Sequence, residues 1–369
     1  MIQSVEIKNY KNFKHLKMEN FKLINFFTGN NDTGKTNILE ALYINTGFYD
    51  PATNRGSLPT HHFKNISEIR NIALNKDNLK TLFYQENTAK PISIHTKFEH
   101  TDIPLKIQLA QINDNKKIDL ANDDINIKNS IDGIKTKLQL QFSYNPSLSP
   151  MTMTYEPKKR DFNLRHPNLD KIGQTYRERA IFIPIELSFI DSLKALQNLR
   201  KKSKEWELIE ALQCFNPDIL NAEDIDGSIY IQVKDEKLPP ERIKESPKRL
   251  LDLFGWGFTK FFTTTSILID NRIKYLFIDE IENGLHYTKM REFLKNLFKL
   301  AKKLQIQIFA TTHNIEFLWK ATNNILDKEP EVFKDIALFE LNKESSSGFI
   351  RHSYSMLEEE LPRGMEVRG

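Results

Sequence analysis

The residues Gly29-Asn30-Asn31-Asp32-Thr33-Gly34-Lys35-Thr36 fit the pattern G-x-x-x-x-G-K-S/T in full. The chemistry of such a loop is phosphate binding. Its glycines let backbone N–H groups turn toward the β- and γ-phosphates of ATP, and the helix that follows offers its positive end to the same anion. Lys35 supplies a point charge, and the Thr36 hydroxyl is suited to complete the coordination of Mg2+. With Asn37, the next residue, this stretch is the candidate nucleotide-binding segment.

A second constellation lies far along the chain. Tyr275-Leu-Phe-Ile-Asp279-Glu280 is an apolar run that ends in two carboxylates. Asp279 is suited to hold Mg2+ through its water shell, and Glu280 to act as general base toward the attacking water. An isolated strand of this kind could simply be reaching solvent, and the phosphate loop reverses that reading. The third element, Gln307-Ile-Phe-Ala-Thr-Thr-His313, is another apolar run with a polar end. His313 would reach the γ-phosphate, a role that rests on the order of the three motifs because a lone histidine is more often structural. The candidate catalytic set is therefore Lys35, Glu280 and His313, with Thr36 and Asp279 as metal residues.

These side chains need rigid elements to carry them. Ile2 to Phe13 alternates as a strand does, Phe21 to Phe27 is a second apolar run, and helical spacing starts at Thr36. Strand, glycine loop and helix then follow in the order a phosphate loop requires. Ile92 to Phe98, Ile103 to Leu109 and Lys137 to Tyr144 predict an antiparallel meander, and Ile112 to Ser130 a long loop. Pro184 places the run from Ile181 at a strand end or sheet edge. Leu193 to Cys214 has helical spacing, Ser228 to Val233 reads as a strand, and Lys248 to Ile269 as one helix or two joined near Gly255 and Gly257. Tyr275 to Ile278, a helix from about Lys289 to Leu304, and Gln307 to Ala310 predict parallel strands with covered faces, with ligands at their carboxyl ends.

Bulk properties set the class. The chain has 369 residues, 39% hydrophobic and 28% charged, with a net charge of +4. Those values fit a folded globular protein, and neither a membrane-length apolar run nor a signal-peptide core is visible, so a cytoplasmic location and no membrane partner are expected. One cysteine, Cys214, rules out an internal disulfide framework and reads as an ordinary buried thiol. Two basic clusters, Lys158-Lys159-Arg160 and Arg200-Lys201-Lys202 with Lys204, could meet a nucleic-acid backbone, although a solvated face is the simpler reading. His61 and His62 read as a loop without a metal. No internal repeat or sustained heptad pattern is present, so any coiled-coil arm must be short.

FIDEIENGLH followed by a helix and QIFATTHNIEF resembles the ABC-type ATPase heads of the SMC, RecF and OLD grouping. IKNYKNFKHLKM leading into FFTGNNDTGKTNILEAL is similar to the N-terminal strands and P-loop of the same proteins, in particular the small stand-alone OLD-like ATP-binding proteins. The resemblance covers both ends of the chain and leaves about Phe48 to Ala180 unmatched.

The fold class this implies is α/β: a P-loop NTPase of the ABC-head type with an antiparallel N-terminal part, an inserted variable region and a helical subdomain. The expected division is 1–47 for the N-terminal strands, P-loop and first helix, 48–180 for the insertion, 181–270 for the helical signature subdomain and 271–369 for the lobe with Asp279 and His313. The implied activity is ATP hydrolysis with Mg2+, coupled to dimerisation of two heads, in a DNA-linked process such as repair or defence against phage. Asn283, Gly284, Leu285 and His286 occupy the place of the D-loop, though a helix-capping turn explains Asn283 and Gly284 equally well. The signature segment corresponds to Lys244-Glu-Ser246-Pro247-Lys248-Arg249, without its usual glycines. A helix starting just after Ser246 would let that serine face the γ-phosphate held by a second copy's Lys35. The weak signature, and a Q-loop glutamine that cannot be assigned, lead to an expectation of slow turnover. The chain reaches Gly369 soon after its last core segment, so an effector such as a nuclease is expected to be a separate polypeptide. The alternative is a nucleotide-gated scaffold or nucleic-acid-binding module with little turnover.

Overall fold

The computed structural model describes residues 1–47, 49–50, 55–56, 58–70, 76–113, 116–118, 137–144, 149–156, 161–165, 180–184, 189–213, 215–270, 273–285, 287–313, 334–342, 345 and 347–352. Cys214, His286, the Lys158-Lys159-Arg160 cluster and the stretch 119–130 of the expected long loop lie outside them.

Two sheets form the main layers. The larger has strands in the order Asp161–Arg165, Met151–Glu156, Lys137–Ser143, Asp102–Asn113, Ile92–Phe98, Ile2–Tyr10 and Phe13–Glu19, with Lys116–Ile118 pairing to the long fourth strand. All its pairings are antiparallel. The strand expected over Ile2 to Phe13 is thus a hairpin, turned at residues 11 and 12, and Lys11 takes a left-handed φ of 45° there. The second sheet runs Ala180–Ile183, Tyr275–Ile278, Gln307–Thr311, Ile24–Gly29, Ile336–Leu341 and Phe349–His352. Its first five strands are parallel, and the last is antiparallel. Ala180–Ile183 stands at the edge, where Pro184 removes no ladder bond.

The P-loop helix, Lys35–Thr46, lies between these layers. Ile38, Leu39, Ala41, Leu42, Tyr43 and Ile44 are all buried, so the helix has no open apolar seam and is enclosed on every side. Phe27, Phe309 and Phe277, on three adjacent parallel strands, stack at 6.3 Å and 5.3 Å on the layer facing the antiparallel sheet. On the opposite face, helix Tyr287–Leu304 buries Met290, Phe293, Leu294 and Leu297, and helix Trp256–Asp270 buries Phe261 and Phe262 in the same second core. Gln307 joins the two sheets: it accepts from Ile2 N–H at 2.7 Å and donates to the carbonyls of Ile2 and Lys22 at 2.8 Å each.

Several local expectations need correction. Leu193 to Cys214 is two helices, Phe189–Lys201 and Glu205–Gln213, because Ser203 takes a φ of 52° between them. His61 and His62 belong to a helix, Pro59–Ile69, and not to a loop; Pro59 sits in its first turn, where a missing N–H costs nothing. The region 181–270 also contains a small sheet, Ile219–Ile225, Ser228–Val233 and Lys248–Leu250. Lys248 to Leu250 therefore pairs with Gln232 to Tyr230 as a strand, a single turn of 3-10 helix follows at Leu251–Phe254, and the regular helix starts only at Trp256.

Candidate functional site

The phosphate loop departs from strand Ile24–Gly29 and ends on helix Lys35–Thr46. Its path requires left-handed backbone at Asp32, φ 60°, and at Gly34, φ 98°. A Cβ on Gly34 would come within 2.6 Å of the Phe13 ring, so both conformation and space demand glycine there. The loop is tied by Thr33 Oγ1 donating to Asn30 O at 2.8 Å and by Asn12 Nδ2 donating to Asp32 O at 2.9 Å. Asn30, Asn31 and Asp32 are exposed, while Asn37 is half-buried in the first helical turn. Lys35 is buried, and its ammonium donates to Gly29 O at 2.7 Å and Asn30 O at 2.9 Å. Burial lowers its pKa, with Glu282, Glu280, Asp279 and Asp32 opposing.

The two carboxylates emerge from the end of Tyr275–Ile278. Asp279 is fully buried and its N–H donates to Ile183 O at 2.9 Å. Its Oδ1 accepts from Thr36 Oγ1 at 3.0 Å and from Thr311 Oγ1 at 2.7 Å. The chain then turns through a left-handed residue, Glu280, with φ 45°. For a residue with a Cβ this costs on the order of 1 kcal/mol, and three hydrogen bonds hold it. Glu280 N–H donates to Thr311 Oγ1 at 2.8 Å, and Glu280 O accepts from Asn283 N–H at 2.9 Å and from Lys260 Nζ at 2.7 Å. The result turns the Glu280 side chain to His313, whose Nε2 is 3.0 Å from Glu280 Oε1. His313 N–H in turn donates to Glu282 Oε1 at 2.5 Å.

Lys35, Thr36, Asp279, Glu280 and His313 thus meet at the carboxyl ends of three adjacent parallel strands. A threonine hydroxyl touching a buried carboxylate is an oxygen donor set of the kind Mg2+ takes, so the residues fit that ion.

Ser246 does not join them on the same terms. It follows a short 3-10 turn, Pro240–Glu245, and precedes the strand Lys248–Leu250. Its hydroxyl is buried, donates to Ile243 O at 2.6 Å and accepts from Asp235 N–H at 3.2 Å. The helix expected to start behind it is a strand here, and Lys248 pairs with Glu223 at 2.5 Å. Asn283 and Gly284 lie in a turn next to the start of helix Trp256–Asp270: a Cβ on Gly284 would fall 1.9 Å from Trp256 Cδ1, and one on Gly257 would fall 2.6 Å from Gly284 O. The basic cluster near Trp206 is largely engaged. Lys202 donates to Asp270 O at 3.0 Å, Arg200 to Ala222 O at 3.2 Å, and Lys204 pairs with Glu207 at 3.4 Å.

Four residues of the site carried little signal in the sequence. Arg70, at the end of helix Pro59–Ile69, places Nη2 2.5 Å from Asp279 Oδ2 and Nε 3.2 Å from Glu40 Oε1. Glu40 is buried on the P-loop helix and also holds Lys11 and, at 3.2 Å, the hydroxyl of Tyr10. Burial would lower the Arg70 pKa, but Asp279 and then Glu40 raise it overall. Thr311 and Lys260 support the Glu280 turn. A charged residue at a helical core position, as Glu40 is, was the one available sign.

A P-loop between parallel strands, with paired carboxylates and a histidine at neighbouring strand ends, defines an ATPase head of the type shared by SMC, RecF and OLD-like proteins. The chain belongs to the family described as "AAA domain, putative AbiEii toxin, Type IV TA system", which matches residues 24–318. It is similar to an ATP/GTP phosphatase of Helicobacter pylori (strain ATCC 700392 / 26695), 29% identical over 349 residues, with 86% of each chain covered. A 43-residue stretch is 43% identical to the DNA replication and repair protein RecF of Lactococcus lactis subsp. lactis (strain IL1403), covering 12% of either chain. Among solved structures, the SMC head domain from Thermotoga maritima aligns over 95% of this chain and 99% of that one, at 12% identity and a TM-score of 0.48. No described helix is long and apolar enough to cross a membrane.

Proposed function

We propose that the protein binds ATP with Mg2+ on the loop Gly29 to Thr36 and hydrolyses it to ADP and phosphate. The observation that carries this reading is the 3.0 Å pair of Glu280 and His313 beside the Thr36–Asp279 contact. Glu280, half-exposed where its neighbour Asp279 is buried, is the general base; His313 orients it and approaches the γ-phosphate. Lys35 exchanges its two loop carbonyls for phosphate oxygens. Thr36 and Asp279 hold Mg2+, which when bound neutralises charge on the phosphates. The similarity to the Helicobacter ATP/GTP phosphatase supports action on nucleoside triphosphates.

Two copies sandwich the nucleotide in this reading. The second copy's share is better sought at the start of helix Trp256–Asp270 than at Ser246, since Gly255 and Gly257 open that helix and Leu253 and Trp256 are exposed beside it. Turnover is slow, because Arg70 already pairs with the carboxylate that Mg2+ needs. The setting is cytoplasmic and DNA-linked or anti-phage, with a separate effector such as a nuclease; membership of a family that includes putative toxins of toxin–antitoxin systems supports defence, and the stretch similar to RecF supports a DNA link.

The test is Mg2+-dependent phosphate release by the purified chain, by Lys35→Ala and by Glu280→Gln. Release lost in both variants, with ATP binding kept in Glu280→Gln, is the expected result. Release that survives Glu280→Gln within about threefold removes Glu280 as the base.

A further inference from the structure

Asp279 has both oxygens committed. Oδ1 takes the hydroxyls of Thr36 and Thr311, and Oδ2 takes the Arg70 guanidinium at 2.5 Å. The carboxylate is fully buried and the arginine mostly so, with 23% of its side chain exposed. An ion pair so placed is screened little by solvent, and an unpaired carboxylate there would be costly. Arg70 is also anchored on its other side. Its Nε faces Glu40 Oε1 at 3.2 Å, and its guanidinium lies 5.9 Å from the centre of the Phe182 ring.

We infer that Arg70 is an internal counter-ion that competes with the divalent metal for Asp279, and so sets the Mg2+ concentration at which nucleotide binds. This rests on the proposed Mg–ATP site. A metal held by Thr36 and Asp279 claims the same carboxylate as the guanidinium, and two cations on one buried carboxylate repel strongly. Arg70 therefore withdraws from Asp279 when the metal arrives. The fork geometry of arginine makes this possible without unpairing it, because Nε can keep Glu40 while Nη2 lets go. Glu40 can hold that charge: it sits on the P-loop helix and already balances Lys11, so it links the release of Arg70 to the segment that carries Lys35 and Thr36.

The experiment follows binding and not turnover. A fluorescent ATP analogue is titrated with the intact chain at fixed protein and increasing Mg2+, and again in EDTA, for the native protein, Arg70→Gln and Arg70→Lys. Arg70→Gln lowers the Mg2+ concentration at half-saturation by about tenfold, because the metal no longer displaces a cation, and leaves affinity in EDTA within about twofold. Arg70→Lys keeps a charge but cannot bridge Asp279 and Glu40, so its midpoint falls by a smaller factor, ~3. It also supplies the reading if Arg70→Gln does not fold. A midpoint that is unchanged or raised in the folded variants overturns the inference. So does a large loss of affinity in EDTA, which would make Arg70 a phosphate ligand. A native chain that binds no analogue at any Mg2+ concentration sinks the ATP site itself, whereas normal binding with an unshifted midpoint sinks only the role of Arg70.

Discussion

The ammonium of Lys260 donates to the carbonyl of Glu280 at 2.7 Å and approaches that of Asn283 at 3.4 Å. A lysine from the helix that starts at Trp256 thereby fastens the turn carrying the candidate base. Burial lowers its pKa to about 8, although Glu282, Asp279 and Glu280 all favour the charge. The helix end and the turn also touch directly, through Trp256 and Gly284. The start of this helix and the turn that carries Glu280 are thus held together by both contacts.

Replacing Lys260 with Met keeps most of the side-chain volume and removes the tether. Glu280 then loses a bond that maintains its left-handed φ, and kcat is expected to fall by about 10- to 100-fold while KM for ATP stays within about twofold. Steady-state phosphate release at saturating and limiting ATP checks this. A rise in KM with kcat intact would make Lys260 part of nucleotide binding instead.

Gln307 should matter for stability and not for chemistry. Its amide closes the gap between the two sheets through Ile2 and Lys22, and it is buried. Gln307→Leu has similar volume but leaves Ile2 N–H and C=O without that partner. A loss of roughly 3 kcal/mol in urea unfolding is expected, from two or more buried groups left unsatisfied. An effect under about 1 kcal/mol would mean that water enters the gap.

These two residues show why part of the site escaped sequence reading. The three motifs that bear the chemistry were legible because each is a polar end on an apolar strand, a pattern local enough to see: Phe27 to Thr36, Tyr275 to Glu280, Gln307 to His313. The parallel order of those strands followed from their spacing. Lys260, Arg70 and Gln307 act across 20, 209 and 305 positions in sequence, and nothing local distinguishes them from surface residues. The helix expected just after Ser246 failed for the opposite reason. The segment Lys248 to Leu253 is helical by composition, yet Tyr230 to Gln232 offers it a strand edge, and pairing outweighed propensity.

His62 gives the fold an acid-sensitive element away from the site. Its ring stacks on Tyr43 at 4.1 Å, its Nδ1–H donates to Tyr43 O at 2.6 Å, and burial lowers its pKa from 6.5 to about 4. The unfolded chain takes up a proton near pH 6.5 that the folded chain refuses until about pH 4, so stability falls as pH drops through that window and the loss is complete below it. The loss should reach about 3 kcal/mol. His62→Phe keeps the stack and discards the hydrogen bond. It is expected to be less stable at pH 7.5 by ~1 kcal/mol, and to show a shallower decline between pH 6.5 and 4. Urea midpoints across that range measure both effects, and parallel declines in the two proteins would clear His62 of the role.

The sandwich of two heads is tested at the surface that the structure exposes. Leu250 is 38% exposed, Leu253 74% and Trp256 43%, all in the stretch of chain that leads into the glycine-opened helix. An apolar cluster at a helix N-terminus is poorly satisfied in a lone chain. A nucleotide held by another copy would give both the helix end and these side chains a partner. Glu280→Gln should slow hydrolysis and so let the ATP-bound dimer accumulate, visible by light scattering in ATP and Mg2+. Adding Leu253→Glu should return that variant to a monomer, because a carboxylate would be desolvated in the interface beside the phosphates, at a cost of several kcal/mol. ATP binding by the single chain should be unaffected, since Leu253 makes no part of the loop Gly29 to Thr36. A substitution at Ser246 would not test association, because its buried hydroxyl bonds Ile243 O and Asp235 N–H and an arginine there would disrupt the turn whether or not chains associate. A Glu280→Gln chain that stays monomeric with saturating ATP, at concentrations where the native chain releases phosphate, would exclude the sandwich.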